Sequence, residues 1–480
     1  MIKGVKAFTT SAMGVVLLVS AHVALAQTST SSGEKKRLEQ FEKDIEASRE
    51  SLKIPGISAV IVKDQKVLWT KGFGFADLEN RVPATPDTLY SIASVTKTFA
   101  STLIMQLVEQ GKLDLIEPIS HYSSDFKDDS VKIKHLITHT SSGTPGEKFQ
   151  YDGGRYDYLT AVIEKKTGKP FVQVVVDNFF DPLGMSESVP YHNVVEDSDK
   201  WIASLGKEHL DRYQKNLEKF AQPYTYYGEG EIVHDSYPPR DAIGAAAGLL
   251  STVRDLAKYD VAIDRHIFVK KETQEKAWTN FVSNSGQRLP YGLGWFVTDY
   301  HDLRVVWHYG DWGSGFSALY LKVPAKNISV IMLANSEALA DHGGETLTSN
   351  VFVCSFLSML GQAHDCEQTS QAALTKWKQQ RRATAHVAVH VDAKVLEPYV
   401  GKYQFETLQN RIFTITREGD KLFVEQSVSH SVKTELLPES QSKFFLKARP
   451  YEFIFTKAAG QAAQLDITQD GQVFHSKRIE

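Results

Sequence analysis

The spacing of apolar residues near the amino-terminal end predicts a helix followed by a β-hairpin. Over 35–53, apolar residues recur at near-helical spacing in a charged segment, which is typical of an amphipathic helix. Residues 57–62 and 66–70 are strand-like and are joined by a short polar turn, which predicts two paired strands. A second helical pattern covers 94–110 and is ended by Gly111.

The middle of the chain is mixed and returns to strand-like sequence. Helical patterns cover 156–167 and 252–263, and strand-like sequence covers 291–298 and 303–334. A further helix is predicted over 344–360. Strands near both ends with helices between them predict one α+β domain, in which a single sheet combines amino-terminal and carboxyl-terminal segments.

The carboxyl-terminal part has a different texture. We assign the α+β domain to 35–366, and the polar, basic segment 367–392 is predicted to be a linking helix with a solvated face. From 393 to 480 the sequence consists of short strands and turns, with hairpins predicted over 411–426 and 465–474. This part is expected to be a small all-β domain, either a sandwich or a barrel.

Composition and charge exclude several classes of protein. The 480 residues include 54 Lys and Arg against 58 Asp and Glu, a formal net charge of −4, so no nucleic-acid partner is expected. Two cysteines exclude a disulfide framework and a four-cysteine zinc site. Cys354 and Cys366 are either a disulfide or two buried thiols, and the sequence leaves both readings open.

The first 26 residues have the three parts of a secretory signal peptide. Lys3 and Lys6 precede an apolar run over 13–19, and Ala24 and Ala26 provide a small-x-small cleavage pattern. The apolar run is too short for a membrane span of roughly 20 residues. We therefore expect a periplasmic or secreted protein with no stable membrane span after cleavage of 1–26.

Ser94 and Lys97 are the candidate catalytic pair. Residues three apart share one face of a helix, so the Lys97 amine can reach the Ser94 hydroxyl and act as its general base. At the start of a helix the Ser94 backbone N–H is also directed outward, where it can stabilise an oxyanion.

The bare spacing has little specificity, because S-x-x-K occurs five times, beginning at Ser32, Ser94, Ser124, Ser204 and Ser440. Only Ser94 begins an apolar-faced helix directly after strand-like sequence. The structural alternative for Ser94 is a helix-capping serine with a solvated lysine one turn later.

The surrounding sequence resembles the serine β-lactamase-like hydrolases. This family includes class C β-lactamases, low-molecular-weight penicillin-binding proteins, D-amino-acid-specific peptidases and related esterases. The matches follow the family order from about 35 to 360 and include the segments 54–64, 71–78, 85–99, 105–115, 135–141, 247–252 and 291–295. The 393–480 segment resembles the β domain that often follows this hydrolase domain. The resemblance implies a β-lactamase/transpeptidase-like fold and an acyl-enzyme on Ser94.

The second family motif, Tyr-x-Asn, is represented by Tyr151, Asp152 and Gly153. The resemblance assigns Tyr151 to proton transfer beside Ser94, and the alternative is a tyrosine that only packs the site wall. Gly153 stands where the family usually has the asparagine that binds the substrate acylamide. Asp152 and Arg155 are the neighbouring side chains that could replace that amide.

The third motif is Lys-Thr-Gly in β-lactamases and often His-x-Gly in relatives, and here it is His308, Tyr309 and Gly310. The resemblance makes His308 a positive or hydrogen-bonding wall group, with a structural histidine as the alternative. Gly310 is expected to let the strand edge approach the substrate. The Asp311 N–H is expected to be the second oxyanion donor, together with that of Ser94.

Neither a metal nor another cofactor is predicted. His135 and His139 are four residues apart, but the resemblance assigns their segment to structure, and no H-E-x-x-H motif is present. The expected partner is a small-molecule or peptide substrate, for which a peptidoglycan origin is one candidate. Peptides ending in D-amino acids, β-lactams and small esters are all compatible with the resemblance. The rival hypothesis is a weakly catalytic or non-catalytic penicillin-binding or cell-wall-binding protein.

Overall fold

The computed structural model describes residues 32–227, 231–234, 243–311, 315–343, 346–362, 366–383, 386–405, 412–426, 433–447, 449–458, 461–469 and 472–480. The predicted signal peptide lies outside the described residues.

The helices precede, separate and follow the strands of the first domain. In chain order they are α1 (Ser32–Ser51), α2 (Thr96–Glu109), α3 (Ile133–Ile137), α4 (Gly153–Tyr156), α5 (Leu159–Thr167), α6 (Phe171–Val175), α7 (Asp181–Leu183), α8 (Ser198–Leu205), α9 (Lys207–Leu217), α10 (Val253–Asp264), α11 (Lys271–Ala277), α12 (Ala338–Asp341), α13 (Val351–Met359), α14 (Cys366–Ala383) and α15 (Ala393–Leu396).

The strands form one large sheet, two small sheets and a barrel. In chain order they are β1 (Gly56–Lys63), β2 (Lys66–Asp77), β3 (Val82–Pro83), β4 (Tyr90–Ser91), β5 (Tyr224–Tyr227), β6 (Glu231–His234), β7 (Leu250–Ser251), β8 (Phe296–Tyr300), β9 (Leu303–Asp311), β10 (Ser317–Val323), β11 (Ile328–Ala334), β12 (Gly401–Phe405), β13 (Ile412–Glu418), β14 (Lys421–Gln426), β15 (Thr434–Pro438), β16 (Lys443–Leu446), β17 (Arg449–Ala458), β18 (Gln461–Gln469) and β19 (Gln472–Arg478).

The large sheet confirms the predicted α+β domain. Its order is β3-β2-β1-β11-β10-β9-β8, so strands from the two ends of the domain meet where β1 pairs antiparallel with β11. Alternate residues of β1 enter two hydrophobic cores: Val60 packs with α2 and α10, whereas Ile61 packs with α1 and α13. Helices cover both faces, which explains why almost every residue of β1 is buried.

Two predicted elements differ from the structure because of local hydrogen bonds. The helix predicted over 344–360 begins only at Val351, since the Asn350 side chain accepts the Phe352 and Val353 N–H groups and caps α13. The strand predicted over 291–298 begins at Phe296, because a turn closed by the Gly292 N–H to Trp295 O bond precedes it.

The helix in the predicted linking segment 367–392 is α14, and part of it packs on the first domain. Helix α14 ends at Ala383, and its buried Trp377 packs in the core of the first domain. Of the two readings left open for the cysteines, the structure has the disulfide, which joins Cys354 on α13 to Cys366 at the start of α14. Residues 386–392 form neither helix nor strand; Tyr227 binds both backbone groups of His386, and the Val389 N–H donates to Pro438 O.

The carboxyl-terminal domain is a closed barrel of β12 to β19, in which β12 pairs with both β13 and β19. Both predicted hairpins are present as β13–β14 and β18–β19. The barrel meets the first domain at the end of β5, where the Tyr227 and Phe445 rings stack with centroids 6.3 Å apart.

None of the helices in the described part of the chain combines the length and apolar character needed to cross a membrane.

Candidate active site

Ser94 lies on a strained turn at the start of α2. The 3₁₀ turn Ala93–Val95 joins β4 to α2 and carries Ser94 at the half-buried edge of the domain. Ala93 has a φ of +44°, a left-handed conformation that costs a non-glycine residue roughly 1–2 kcal/mol. Strain of this kind persists where the surrounding structure holds it, and here it presents the Ser94 hydroxyl.

Lys97 is buried beside the Ser94 hydroxyl. Its Nζ donates to Ser94 Oγ at 2.8 Å and to the Ala246 carbonyl at 2.9 Å. Two aromatic rings hold the same amine, with Nζ 5.1 Å from the Tyr151 ring centroid and 5.3 Å from that of Tyr156. The Lys97 side chain is therefore fixed in the geometry that proton exchange with Ser94 requires.

The other S-x-x-K pairs do not share this arrangement. Lys127 donates to the backbone oxygen of Ser124 on an exposed loop, and Lys207 binds Asp211. Among the S-x-x-K pairs of the described residues, the contact between the lysine amine and its serine hydroxyl is found at Ser94, the pair that the sequence argument favoured.

The structure places Tyr151 and Gly153 next to Lys97. Gly153 begins α4, and a Cβ built on it would lie 3.8 Å from Lys97 Nζ and meet no other heavy atom within 4 Å. The neighbouring side chains do not fill this space: Asp152 Oδ1 caps α4 by accepting the Arg155 N–H, and Arg155 Nε donates to Ser141 Oγ at 2.8 Å. Neither side chain substitutes for an asparagine amide at this position.

His308 is buried and hydrogen-bonded, and of its two predicted roles, a positive or a hydrogen-bonding wall group, its surroundings disfavour the positive one. The side chain is fully buried, its Nε2 is 2.8 Å from the Tyr291 hydroxyl, and its Nδ1 is 2.6 Å from the Tyr309 carbonyl. With Nδ1 donating to the carbonyl, Nε2 accepts from the tyrosine. Burial is the largest cause that lowers the pKa of His308 to about 3, and Lys97 contributes when its amine is protonated.

The turn that carries Ser94 requires a residue without a side chain at Gly310. A Cβ at this position would lie 2.3 Å from the Ile92 carbonyl oxygen and 3.2 Å from the Ala93 Cβ. We expected Gly310 to allow close approach of a substrate, but the close approach shown is that of β9 to the turn before Ser94. Asp311, the last residue of β9, follows directly.

Replacing Gly310 by alanine is expected to lower kcat by about 10²-fold, since the added methyl must displace the Ile92–Ala93 turn and with it Ser94. Steady-state kinetics of the purified variant would measure the loss. Gly33→Ala is a suitable control, because a Cβ there meets only Arg37 Nη1, at 3.9 Å, and Gly33, like Gly310, does not have a left-handed φ. A Gly310→Ala enzyme with full activity would contradict this account of β9.

Sequence reasoning missed three groups that shape the site. Ala246 contributes only a carbonyl, so no side-chain signal marks it. Tyr156 binds the Lys97 carbonyl through its hydroxyl at 3.2 Å and could have been found from its position one turn into the helical pattern after Tyr151. His139 stacks on Tyr151 with ring centroids 4.3 Å apart, although its segment was assigned to structure.

Three side chains of metal-ligating type lie where the segment after α14 meets the barrel, away from these residues. His386, Glu439 and Glu452 bring one ligand atom each within 4.8 Å of one another. Lys443 Nζ already lies 2.9 Å from Glu439 and 2.8 Å from Glu452, so an ammonium occupies the place of a cation.

Comparison with known proteins identifies the family. The family model Beta-lactamase matches residues 41–349, and a domain of unknown function, DUF3471, matches 385–478. Penicillin-binding protein 4* of Bacillus subtilis (strain 168) is 24% identical over 442 residues, covering 84% of this chain and 91% of the relative. Protein flp of Staphylococcus aureus (strain MW2) is 24% identical over 372 residues, covering 68% and 70%.

Solved structures support the same fold. The octameric penicillin-binding protein homologue from Pyrococcus abyssi superposes with a TM-score of 0.57 at 23% identity, covering 92% of this chain and 100% of that one. Because the Beta-lactamase model matches more than half of the 480 residues, the chain belongs to the Beta-lactamase family, whose members are in general serine hydrolases.

Proposed function

We propose that this protein is an exported serine hydrolase that forms an acyl-enzyme on Ser94. The observation that carries the proposal is the 2.8 Å contact between Lys97 Nζ and Ser94 Oγ at a buried amine. No other S-x-x-K pair in the described residues joins a lysine amine to its serine hydroxyl.

The proposed reaction has two steps. The neutral Lys97 amine accepts the Ser94 proton as Oγ attacks the substrate carbonyl, and the backbone N–H groups of Ser94 and Asp311 stabilise the oxyanion. The C–O or C–N bond to the leaving group breaks, the leaving group receives a proton through Tyr151, and the acyl group stays on Ser94. Water then attacks the ester, gives a proton to the same base, and releases the acid and the free serine.

Export is part of the same proposal. The predicted signal peptide motivates it, and the disulfide between Cys354 and Cys366 supports it, since such bonds persist in oxidising compartments.

Labelling with three reagents tests the acyl-enzyme. The protein is mixed separately with a fluorophosphonate, a penicillin and an activated ester, and intact-mass and peptide mass spectrometry locate any adduct. An adduct on Ser94 with turnover of the ester supports the hydrolase. The absence of an adduct with all three reagents would favour the rival hypothesis of a non-catalytic binding protein.

We further propose that small esters are preferred over β-lactams and D-amino-acid peptides. The glycine at 153 offers no amide to the acylamide group of those substrates, and Asp152 and Arg155 are engaged elsewhere. His308 also offers no positive charge to a substrate carboxylate. A simple ester has neither an acylamide nor a carboxylate, so the absence of partners for those groups does not weaken its binding.

Gly153→Asn is expected to reduce the ratio of kcat/KM for an ester to kcat/KM for a β-lactam. An unpaired acylamide in a desolvated site costs about 1–3 kcal/mol, which corresponds to roughly one to two powers of ten in rate. Comparing kcat/KM for p-nitrophenyl butyrate and a chromogenic cephalosporin measures the preference in both enzymes, and Gly153→Ala controls for the added volume. A wild type that cleaves the cephalosporin faster, with no effect of the substitution, would refute this assignment.

A further inference from the structure

His139 holds both neighbours of Tyr151 in the chain. Its carbonyl oxygen accepts the Gln150 N–H at 2.8 Å, and its imidazole Nδ1 accepts the Asp152 N–H at 3.1 Å. The imidazole ring also stacks on the Tyr151 ring, with centroids 4.3 Å apart and an interplanar angle of 30°. One side chain and its backbone thus fix the position of the ring and of the peptide groups on either side of it.

We propose that His139 is a positioning residue that sets the place of the Tyr151 phenol relative to Lys97 and Ser94. The inference rests on the proposed function, because it assumes that Tyr151 moves a proton in the reaction.

The surroundings of His139 keep its ring immobile. The side chain is 2% exposed, and Tyr156 and Tyr291 lie with ring centroids 5.1 and 5.0 Å from it. Its backbone has a φ of +53°, which a histidine adopts only at a cost of roughly 1–2 kcal/mol. The strained backbone is what directs the carbonyl to Gln150 and the ring to Asp152.

The protonation state of His139 suits an acceptor at Nδ1. Burial is the largest cause that lowers the pKa of His139 well below its ordinary value, so the enclosed ring is neutral. In the neutral ring Nδ1 accepts the Asp152 N–H, so the proton is on Nε2.

His135 provides a matched control from the same segment. It is also buried, and its Nδ1 accepts a backbone N–H, that of Lys132, at the same distance of 3.1 Å. His135 caps its own helix, α3, and makes neither of the contacts that His139 makes to the Tyr151 segment. His135 therefore shows the effect expected from replacing a buried histidine whose role is only structural.

The test uses two substitutions that separate the stacking contact of His139 from its hydrogen-bond acceptor. His139→Phe keeps an aromatic ring but removes the acceptor, whereas His139→Asn keeps an acceptor near Nδ1 and tolerates a positive φ but removes the ring. Each is made in the wild type and in Tyr151→Phe, and kcat, KM and the unfolding temperature are measured with p-nitrophenyl butyrate.

We expect His139→Phe to lower kcat about 10–100-fold while KM changes less than about threefold, with His139→Asn intermediate. In the Tyr151→Phe background, the same substitutions should lower kcat by less than a further factor of about two, because the phenol that His139 positions is already absent. His135→Phe should lower the unfolding temperature without this change in kcat.

The outcomes separate the two proposals. The positioning role is overturned if a His139 substitution lowers kcat by the same factor in Tyr151→Phe as in the wild type. It is also overturned if His139→Phe leaves kcat unchanged. If Tyr151→Phe itself retains wild-type kcat, the proton-transfer role of Tyr151 fails and the inference fails with it, whereas labelling at Ser94 still tests the acyl-enzyme independently.

Discussion

Ser94→Ala is expected to reduce ester turnover by about 10⁴–10⁶-fold, because a nucleophile and its base act as one unit. The fold should be retained, since the Ser94 hydroxyl lies at the half-buried edge of the turn and removing it leaves no cavity in the core. Steady-state kinetics and fluorophosphonate labelling measure the loss, and circular dichroism reports the fold.

Ser124→Ala is the matched control for this experiment. Its motif has the same spacing, but Lys127 contacts the backbone of Ser124 on an exposed loop. If Ser94→Ala kept more than a few per cent of activity and Ser124→Ala did not, the choice of nucleophile would be wrong.

Lys97→Met is expected to lower the acylation rate by about 10²–10⁴-fold, the usual contribution of a positioned general base. Methionine keeps an unbranched side chain of similar length in the buried site, but it cannot accept the Ser94 proton. Stopped-flow release of p-nitrophenol in a single turnover measures acylation directly.

The loss of Lys97 should also have a cost in stability. The Ala246 carbonyl is left without its donor, which lowers the free energy of unfolding by about 1–3 kcal/mol. Lys127→Met is the control for a general effect of removing a lysine. An unchanged acylation rate in folded Lys97→Met would refute the assigned base.

Local sequence patterns predicted most of the secondary structure. The hairpin of β1 and β2 and the helix α10 follow from periodicity and from residues within one turn of each other, such as the Thr252 side chain that caps α10. The limits of α13 and α14 were less accurate. The start of α13 depends on the Asn350 cap, and α14 ends at Ala383 although the predicted linking helix continued to 392.

Only part of the candidate site was predicted, because some of its contacts also join residues that are distant in the sequence. The family resemblance and the helical spacing of Ser94 and Lys97 selected the pair that the structure joins by a hydrogen bond. The environment of Lys97 was not predictable, because Tyr156 and the Ala246 carbonyl reach it from other parts of the chain.

The amino-acid sequence alone was sufficient for the α+β class of the first domain, for its sheet of strands from both ends, and for the choice among five S-x-x-K motifs. The α+β class and the proximity of Ser94 and Lys97 follow from interactions between residues close in the chain, for which periodicity and spacing are direct signals. The shared sheet was inferred from strand-like sequence at both ends of the domain. The closure of the barrel, the pairing of the cysteines and the neutral state of His308 needed the folded chain. Each depends on distance and burial created by residues far apart in sequence, such as the Tyr291 hydroxyl that binds the buried His308 ring.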